Sequence, residues 1–306
     1  MAMAWAAPGI GAFTLAVVLV ILSTVFVALR FVSRRHILNI WGPTDWFMLV
    51  TLFFAYASTA CVGAFAAYGM GHHVVDLRPD QLPPFVKVTY VISIVTNTSI
   101  ALTKLSVLLL LLDIFVMFWY RKATYAVTAV ASCYLVWVIL SNTLACLPVR
   151  AFWDFSVPES ERWCMPNRPK MLADSSVNAA LDIAIFCLPL PLLRTSTLPL
   201  KQKLWLCVVF ALGVIVCIAS LLRFHFIDFE VLMADPTWAA VNISTWANVE
   251  INLAIMIACI PTLRPLVAKY CPRLVEPSSE PSDGDDSSRP PTFSSPTWRA
   301  DMREHC

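Results

Sequence analysis

The chain has 306 residues, 58% of them hydrophobic and 14% charged, with a mean hydropathy of +0.71 and a formal net charge of +2. Soluble domains carry about 25% charged residues, so a soluble globular protein is excluded. The net charge says little here, because what matters is where along the chain the charges sit.

Seven apolar runs predict seven helices, at about 9–32, 45–68, 86–112, 124–148, 171–193, 204–226 and 239–262. Each reaches the roughly 20 residues that a helix needs to cross a bilayer. Residues 1–8, "MAMAWAAP", lack the basic start and the cleavage site of a secretory signal, so the first run is expected to stay as the first span. Connections are short except 149–170. No repeat of 20–50 residues is visible, which speaks against an inverted-repeat transporter.

Basic flanks set the expected orientation. Arg30, Arg34 and Arg35 follow the first run, Arg121 and Lys122 the third, Arg194, Lys201 and Lys203 the fifth, and Arg264, Lys269 and Arg273 the seventh. All fall on one side, so the N-terminus is expected outside and the C-terminus in the cytoplasm. The fold class expected is an all-α polytopic membrane protein, a seven-transmembrane helix bundle. Residues 1–8 form its outer N-terminus and 9–274 its membrane domain. The Ser-, Pro- and Asp-rich stretch 275–306 cannot bury enough apolar surface to fold, and it is expected to be a disordered cytoplasmic tail.

Ionisable groups at bilayer depth are costly and mark paired or functional positions. Lys104, Asp182, Arg223 and Glu250 stand out in the third, fifth, sixth and seventh runs. At about 1.5 Å of helical rise per residue, Lys104, Asp182 and Glu250 share one layer, and Arg223 lies nearer the outer end. That layer predicts an interior polar cluster with Asn97, Asn178, Asn248 and Asn252 as hydrogen-bonding neighbours. Two readings stand: a Lys104–Asp182 ion pair that fixes helix packing, or a ligand or proton site. Pro189, Pro191 and Pro261 lie below Asp182 and Glu250, where proline bends or ends a helix; for Pro191 and Pro265 an ordinary helix end is the simpler reading.

Ten cysteines in so apolar a chain form no disulfide framework, since most behave as small hydrophobes inside the runs. Cys146 and Cys164 are the exception. They bracket "LPVRAFWDFSVPESERW" at 147–163, on the side expected to be oxidising, and a bridge between them that pins the long loop is expected. His72, His73 and Asp76 cluster in "YGMGHHVVD", but adjacent histidines point apart, and no metal site is expected there. No zinc, nucleotide, phosphate or nucleic-acid signature is visible, and no cofactor is called for.

The chain resembles a fungal family, the rhodopsin-domain integral membrane proteins that include a satratoxin-cluster member. The resemblance rests on "TDW" at 44–46, "YGMGHHVVDL" at 68–77, "LTKLSVLLLLLDIF" at 102–115 and "FWDFSVPESERWC" at 152–164. It continues through "LDIAIFCLPLPLL" at 181–193, "LGVIVCIASLLRF" at 212–224, "DPTW" at 235–238 and "VEINLAIMIACIPTLRPL" at 249–266. Where the family usually reads Asp-Asp-Trp, this chain has Thr44-Asp45-Trp46, and Asp113 stands where an arginine is usual. A retinal Schiff base requires a lysine in the last helix, and 239–262 contain none, so retinal is not expected.

The resemblance implies a receptor-like sensor or a part in a secondary-metabolite gene cluster, in the plasma membrane or the endoplasmic reticulum. The alternative is a membrane-embedded enzyme such as a terpene cyclase. In that reading Asp182 or Glu250 would be the general acid, and aromatic rings would steady cations. The partners called for are membrane lipid, a small apolar ligand or prenylated substrate, and a cytoplasmic signalling or pathway partner.

Overall fold

Long apolar runs without interior glycine clusters close their backbone hydrogen bonds within themselves, which is what a bilayer demands. The structure, a computed structural model, describes residues 7–39, 42–76, 82–114, 118–154, 156–189, 200–227 and 235–270. It is almost wholly helical. The helices are α1 (Ala7–Val32), α2 (Pro43–Ala67), α3 (Leu82–Ile114), α4 (Phe118–Thr143), α5 (Asn167–Cys187), α6 (Leu200–Phe226) and α7 (Pro236–Tyr270). Pro191 and the stretch 271–306 lie outside the described residues.

Among the described residues, five segments are long and apolar enough to cross a membrane: Pro8–Arg35, Pro43–Ala67, Pro83–Asp113, Phe118–Thr143 and Thr237–Leu263. Outside that set stand α5, which carries Lys170, Asp174 and Asp182, and α6, of which Phe210–Phe226 is the described apolar part. Burial separates the helices by position. In α3 and α7, 61% of the span is buried, against 28% in α1 and 22% in α4. The first two are therefore the axis of the bundle, and α1 and α4 form its wall. Exposed Val18, Trp119 and Val136 on the wall helices suit a surface bathed in lipid rather than water.

Local sequence explains the boundaries. Pro43 opens α2 in the first turn, where a missing N–H costs nothing. Asp45 follows and accepts the Gly42 N–H at 3.2 Å. Asn39, at φ 51°, closes the π-turn Ser33–Leu38 that extends α1, in a left-handed conformation that asparagine tolerates. Gly9 is required by a close approach: a Cβ there would lie 2.4 Å from the Met70 carbonyl oxygen.

The prolines behave differently from one another. Helix α5 ends at Cys187, just before Pro189. Helix α7, in contrast, continues through Pro261 and Pro265 to Tyr270, so neither ends it. Side chains of the α1 segment serve the carbonyls around Pro261: Arg30 donates to Ala258 O at 2.9 Å and Ser33 to Thr262 O at 2.7 Å.

Among the described residues, apolar clusters pack along the axis, two of them at the level of the middle of α3. Val20, Val27, Met48, Leu52, Ile100, Ile251 and Ile255 join α1, α2, α3 and α7. Ala101, Leu105, Leu108, Ala131, Tyr134, Val138 and Leu181 join α3, α4 and α5. At one end the 146–164 connection folds on itself. Strands β1 (Cys146–Leu147) and β2 (Trp163–Cys164) pair antiparallel, with Cys146 opposite Cys164 and the two joined by a disulfide. This end gathers the start of α1, α3, α5 and α7, and it is called the disulfide end below.

Candidate functional site: a buried charge network beneath a cavity

Lys104 enters the core from the middle of α3, between Ser99 and Leu108, on a helix buried on nearly every side. A lone ammonium there would be prohibitively costly. It is not alone. Lys104 forms an ion pair with Asp182 of α5, and its Nζ lies 3.5 Å from Glu250 Oε1 of α7. Arg223 of α6 places Nε 3.3 Å from Glu250 Oε2. Two cations face two carboxylates, so the network is formally neutral, and all four residues are 7% exposed or less.

Neutral donors complete it. Asn178 donates Nδ2 to Glu250 Oε1 at 2.9 Å and to Asp182 Oδ2 at 3.5 Å. Its position one turn before Asp182 puts both side chains on the same face of α5. Ser220 donates its hydroxyl to Asp182 Oδ2 at 2.5 Å. The Arg223–Glu250 contact is looser: among the described residues, neither Arg223 Nε nor Glu250 Oε2 has an aligned hydrogen-bond partner. Their attraction is coulombic and lacks the bidentate geometry that makes arginine–carboxylate pairs strong.

The other asparagines stand elsewhere. Asn97 lies two turns before Lys104 on α3, about 10 Å along the axis. It bonds Ser93 O at 2.8 Å and lines a cavity rather than the network. Asn248 donates to Ser244 O, and Asn252 donates to Asn248 O while accepting the Ser23 hydroxyl at 2.9 Å. Those two tie α7 to itself and to α1. Arg223, near the end of its helix, reaches the common layer because its long stem carries the guanidinium down to Glu250.

Above the network, toward the disulfide end, lies a cavity of about 540 Å³, within the roughly 300–1,000 Å³ range of small-ligand sites. Phe65, Phe85, Tyr90, Phe152 and Ile243 give it an apolar wall, and Asn97, Asn142 and Ser175 add polar points. Its charged lining is Lys170, Asp174 and Arg223. Lys170 is committed on its own helix, with Nζ 3.2 Å from Asp174 Oδ2 and 2.9 Å from Asn142 Oδ1. Asp174 also accepts the Trp137 indole N–H at 2.7 Å. Arg223 is thus the one network residue that also faces the cavity; Lys104, Asp182 and Glu250 are absent from its lining.

A second charge group ties the opposite end. Arg30 is 1% exposed, 3.2 Å from Asp45, and Arg34 Nε lies 3.3 Å from the other oxygen of that carboxylate. Sequence reading counted Arg30 among the basic flanks. The signal that could have moved it inward was Asp45 in "TDW", an acid opening an otherwise apolar helix. Ser220 and the Lys170–Asp174 pair were also missed, although the i,i+4 spacing of the latter on a helix was visible. At the disulfide end, His73 Nδ1 lies 2.5 Å from Asp235 Oδ2 and its ring stacks on Trp238 at 4.9 Å. The hydrogen bond to Asp235, helped by that carboxylate's charge, raises the His73 pKa.

A bundle of long apolar helices, several able to span a bilayer, around a desolvated and internally neutralised set of charges defines a multi-pass integral membrane protein. Comparison with known sequences gives the kind. The model of the fungal rhodopsin domain matches residues 29–269, and the chain belongs to that family. It is similar to Receptor GIN3 of Arthrobotrys oligospora, 26% identical over 274 residues, covering 87% of this chain and 65% of the relative. It is also similar to the polyenoic acids biosynthesis gene cluster protein Ba17b of Metarhizium anisopliae, 26% identical over 81% of this chain and 71% of that one. A third relative is an SAT4 family membrane protein of Emericella nidulans, 26% identical over 64% of this chain and 50% of that protein. The chain thus spans just under two thirds of the receptor's length. No solved structure matches it.

Proposed function

We propose that the protein is a receptor-like sensor whose cavity at the disulfide end holds a small, largely apolar ligand. In this reading all seven helices cross the membrane, with the N-terminus outside and the C-terminus cytoplasmic. Residues 9–274 are the membrane domain and 275–306 a cytoplasmic tail. The basic flanks support that orientation. So does the Cys146–Cys164 bridge, since disulfides persist on the oxidising side of a membrane. The name of the Arthrobotrys relative supports the receptor role.

The single observation that carries the proposal is the position of Arg223, which lines the cavity and also touches Glu250 of the buried network. A ligand in the cavity acts on a residue that connects α6 to α7, and through Glu250 and Asp182 to α3 and α5. The test is a thermal-unfolding screen of the purified chain in lipid nanodiscs against a panel of small apolar compounds. The variant Ser93→Trp, whose indole would occupy the cavity, serves as control. Hits that stabilise the wild type but not the variant support the site; no hit across a broad panel refutes it.

The relatives named for biosynthetic gene clusters favour a second setting, a sensor or accessory protein expressed with a pathway. The cyclase alternative has no such support, and its candidate acids, Asp182 and Glu250, stand paired behind the cavity rather than in its wall.

A further inference from the structure

The cavity wall is charged in a one-sided way. Its lining holds two cations and one carboxylate, a formal surplus of +1, because the acid that balances Arg223 lies outside the lining. Lys170 has an aligned carboxylate on its own helix and an amide oxygen from α4. Arg223 is buried, faces the cavity, and meets its counter-ion without an aligned hydrogen bond. The rest of the wall is mostly apolar and aromatic.

We infer that the cavity takes an amphiphile with one anionic head group, of the kind formed by a carboxylate on an apolar tail, and that the head group takes Arg223 in place of Glu250. The inference rests on the proposed ligand site and names its ligand class. The chemistry favours the exchange. A free carboxylate can turn to meet the guanidinium fork squarely, whereas Glu250 is tethered to α7 and already accepts from Asn178 and faces Lys104. Glu250, once released, keeps the Asn178 donor and shares Lys104, at 3.5 Å, with Asp182; the set then carries one negative charge in excess, a cost that neutralising Glu250 relieves. Binding therefore shifts the α6–α7 contact to an α3–α7 contact, a change carried wholly by side chains already in the network.

The test compares lauric acid with lauryl alcohol, which share a tail and differ at the head, binding to the delipidated full chain in zwitterionic nanodiscs. The pH is held near about 8, where a carboxylate with an ordinary pKa near 4 is ionised. The wild type should prefer the acid by about tenfold or more, the range of a charge-assisted bond. Glu250→Gln should tighten the acid and leave the alcohol unchanged, an effect opposite to that of simple damage. The double variant Arg223→Gln with Glu250→Gln keeps the site neutral and folded, and it should bind both probes alike.

Equal binding of the two probes to the wild type, lost in Ser93→Trp, would overturn the anionic class and leave the cavity reading standing. Acid preference that survives in the double variant would also overturn the assignment to Arg223. Binding of neither probe would overturn both readings. Fatty acid extracted from wild-type preparations but not from the double variant would mark a membrane-derived source. Binding only on addition from solution would mark a soluble one; either supports the inference.

Discussion

Asp182→Asn is the sharpest probe of the network. The change keeps the shape and an acceptor for Ser220 but takes one negative charge from a neutral set of four residues, each 7% exposed or less. Removing one partner of a buried ion pair costs about 3–5 kcal/mol, because the other charge stays behind uncompensated. Here Lys104 keeps Glu250 at 3.5 Å, and the new amide can still accept, which places the expected loss at about 2–4 kcal/mol. Lys104→Met should cost a similar amount by stranding Asp182. Replacing both, as Lys104→Met with Asp182→Asn, removes the charges together and should cost little, since neutral replacements of buried pairs often do. Together the two single losses should exceed the double loss by about 3 kcal/mol or more. Reversible unfolding of the purified variants in mixed micelles measures all three. Single variants within about 0.5 kcal/mol of wild type, or additive costs in the double, would refute the claim that these two side chains depend on one another.

The second charge group yields a parallel expectation: Arg30→Met should destabilise by about 3 kcal/mol by leaving Asp45 buried with only Arg34 and by freeing the Ala258 carbonyl, as read by the same unfolding assay. At the disulfide end the folded pKa of His73 is raised by Asp235. The stabilisation from that pair is therefore fully present below the unfolded value of about 6.5 and fades as pH rises through the folded value. An NMR titration should show His73 above 6.5, and His73→Gln should flatten the pH dependence; a value at or below 6.5 would refute the pairing. Replacing Cys146 and Cys164 by serine should lower stability by about 3 kcal/mol, the range for a loop of this length, with equal loss in non-reduced and reduced samples of the variant.

Part of this protein is determined by its sequence alone. Composition and run length put it in a membrane, because no polar medium would tolerate so much apolar surface without a larger charged fraction. The cost of burying an ammonium in lipid led from Lys104 to a partner, and Asp182 and Glu250 were the acids at matching depth. The cysteine pair was legible for another reason: Cys146 and Cys164 bracket residues 147–163 on the side expected to be oxidising.

Tertiary structure decided the rest. Depth along a helix is a one-dimensional coordinate read from residue number, but partnership depends on rotation about each axis and on which helices are neighbours. Asn178 therefore joined the network and Asn97 did not, though both looked eligible. Arg30 was read as a flank because a long basic side chain near a helix end can reach water; only the arrival of Asp45 beside it made burial the lower-energy choice. Pro261 sits in a continuous helix that α1 grips on either side of it, through Arg30 to Ala258 O and Ser33 to Thr262 O. The cavity and the surplus cation in its wall have no signature along the chain, since they are properties of the space that α2 to α7 and the 146–164 connection leave between them.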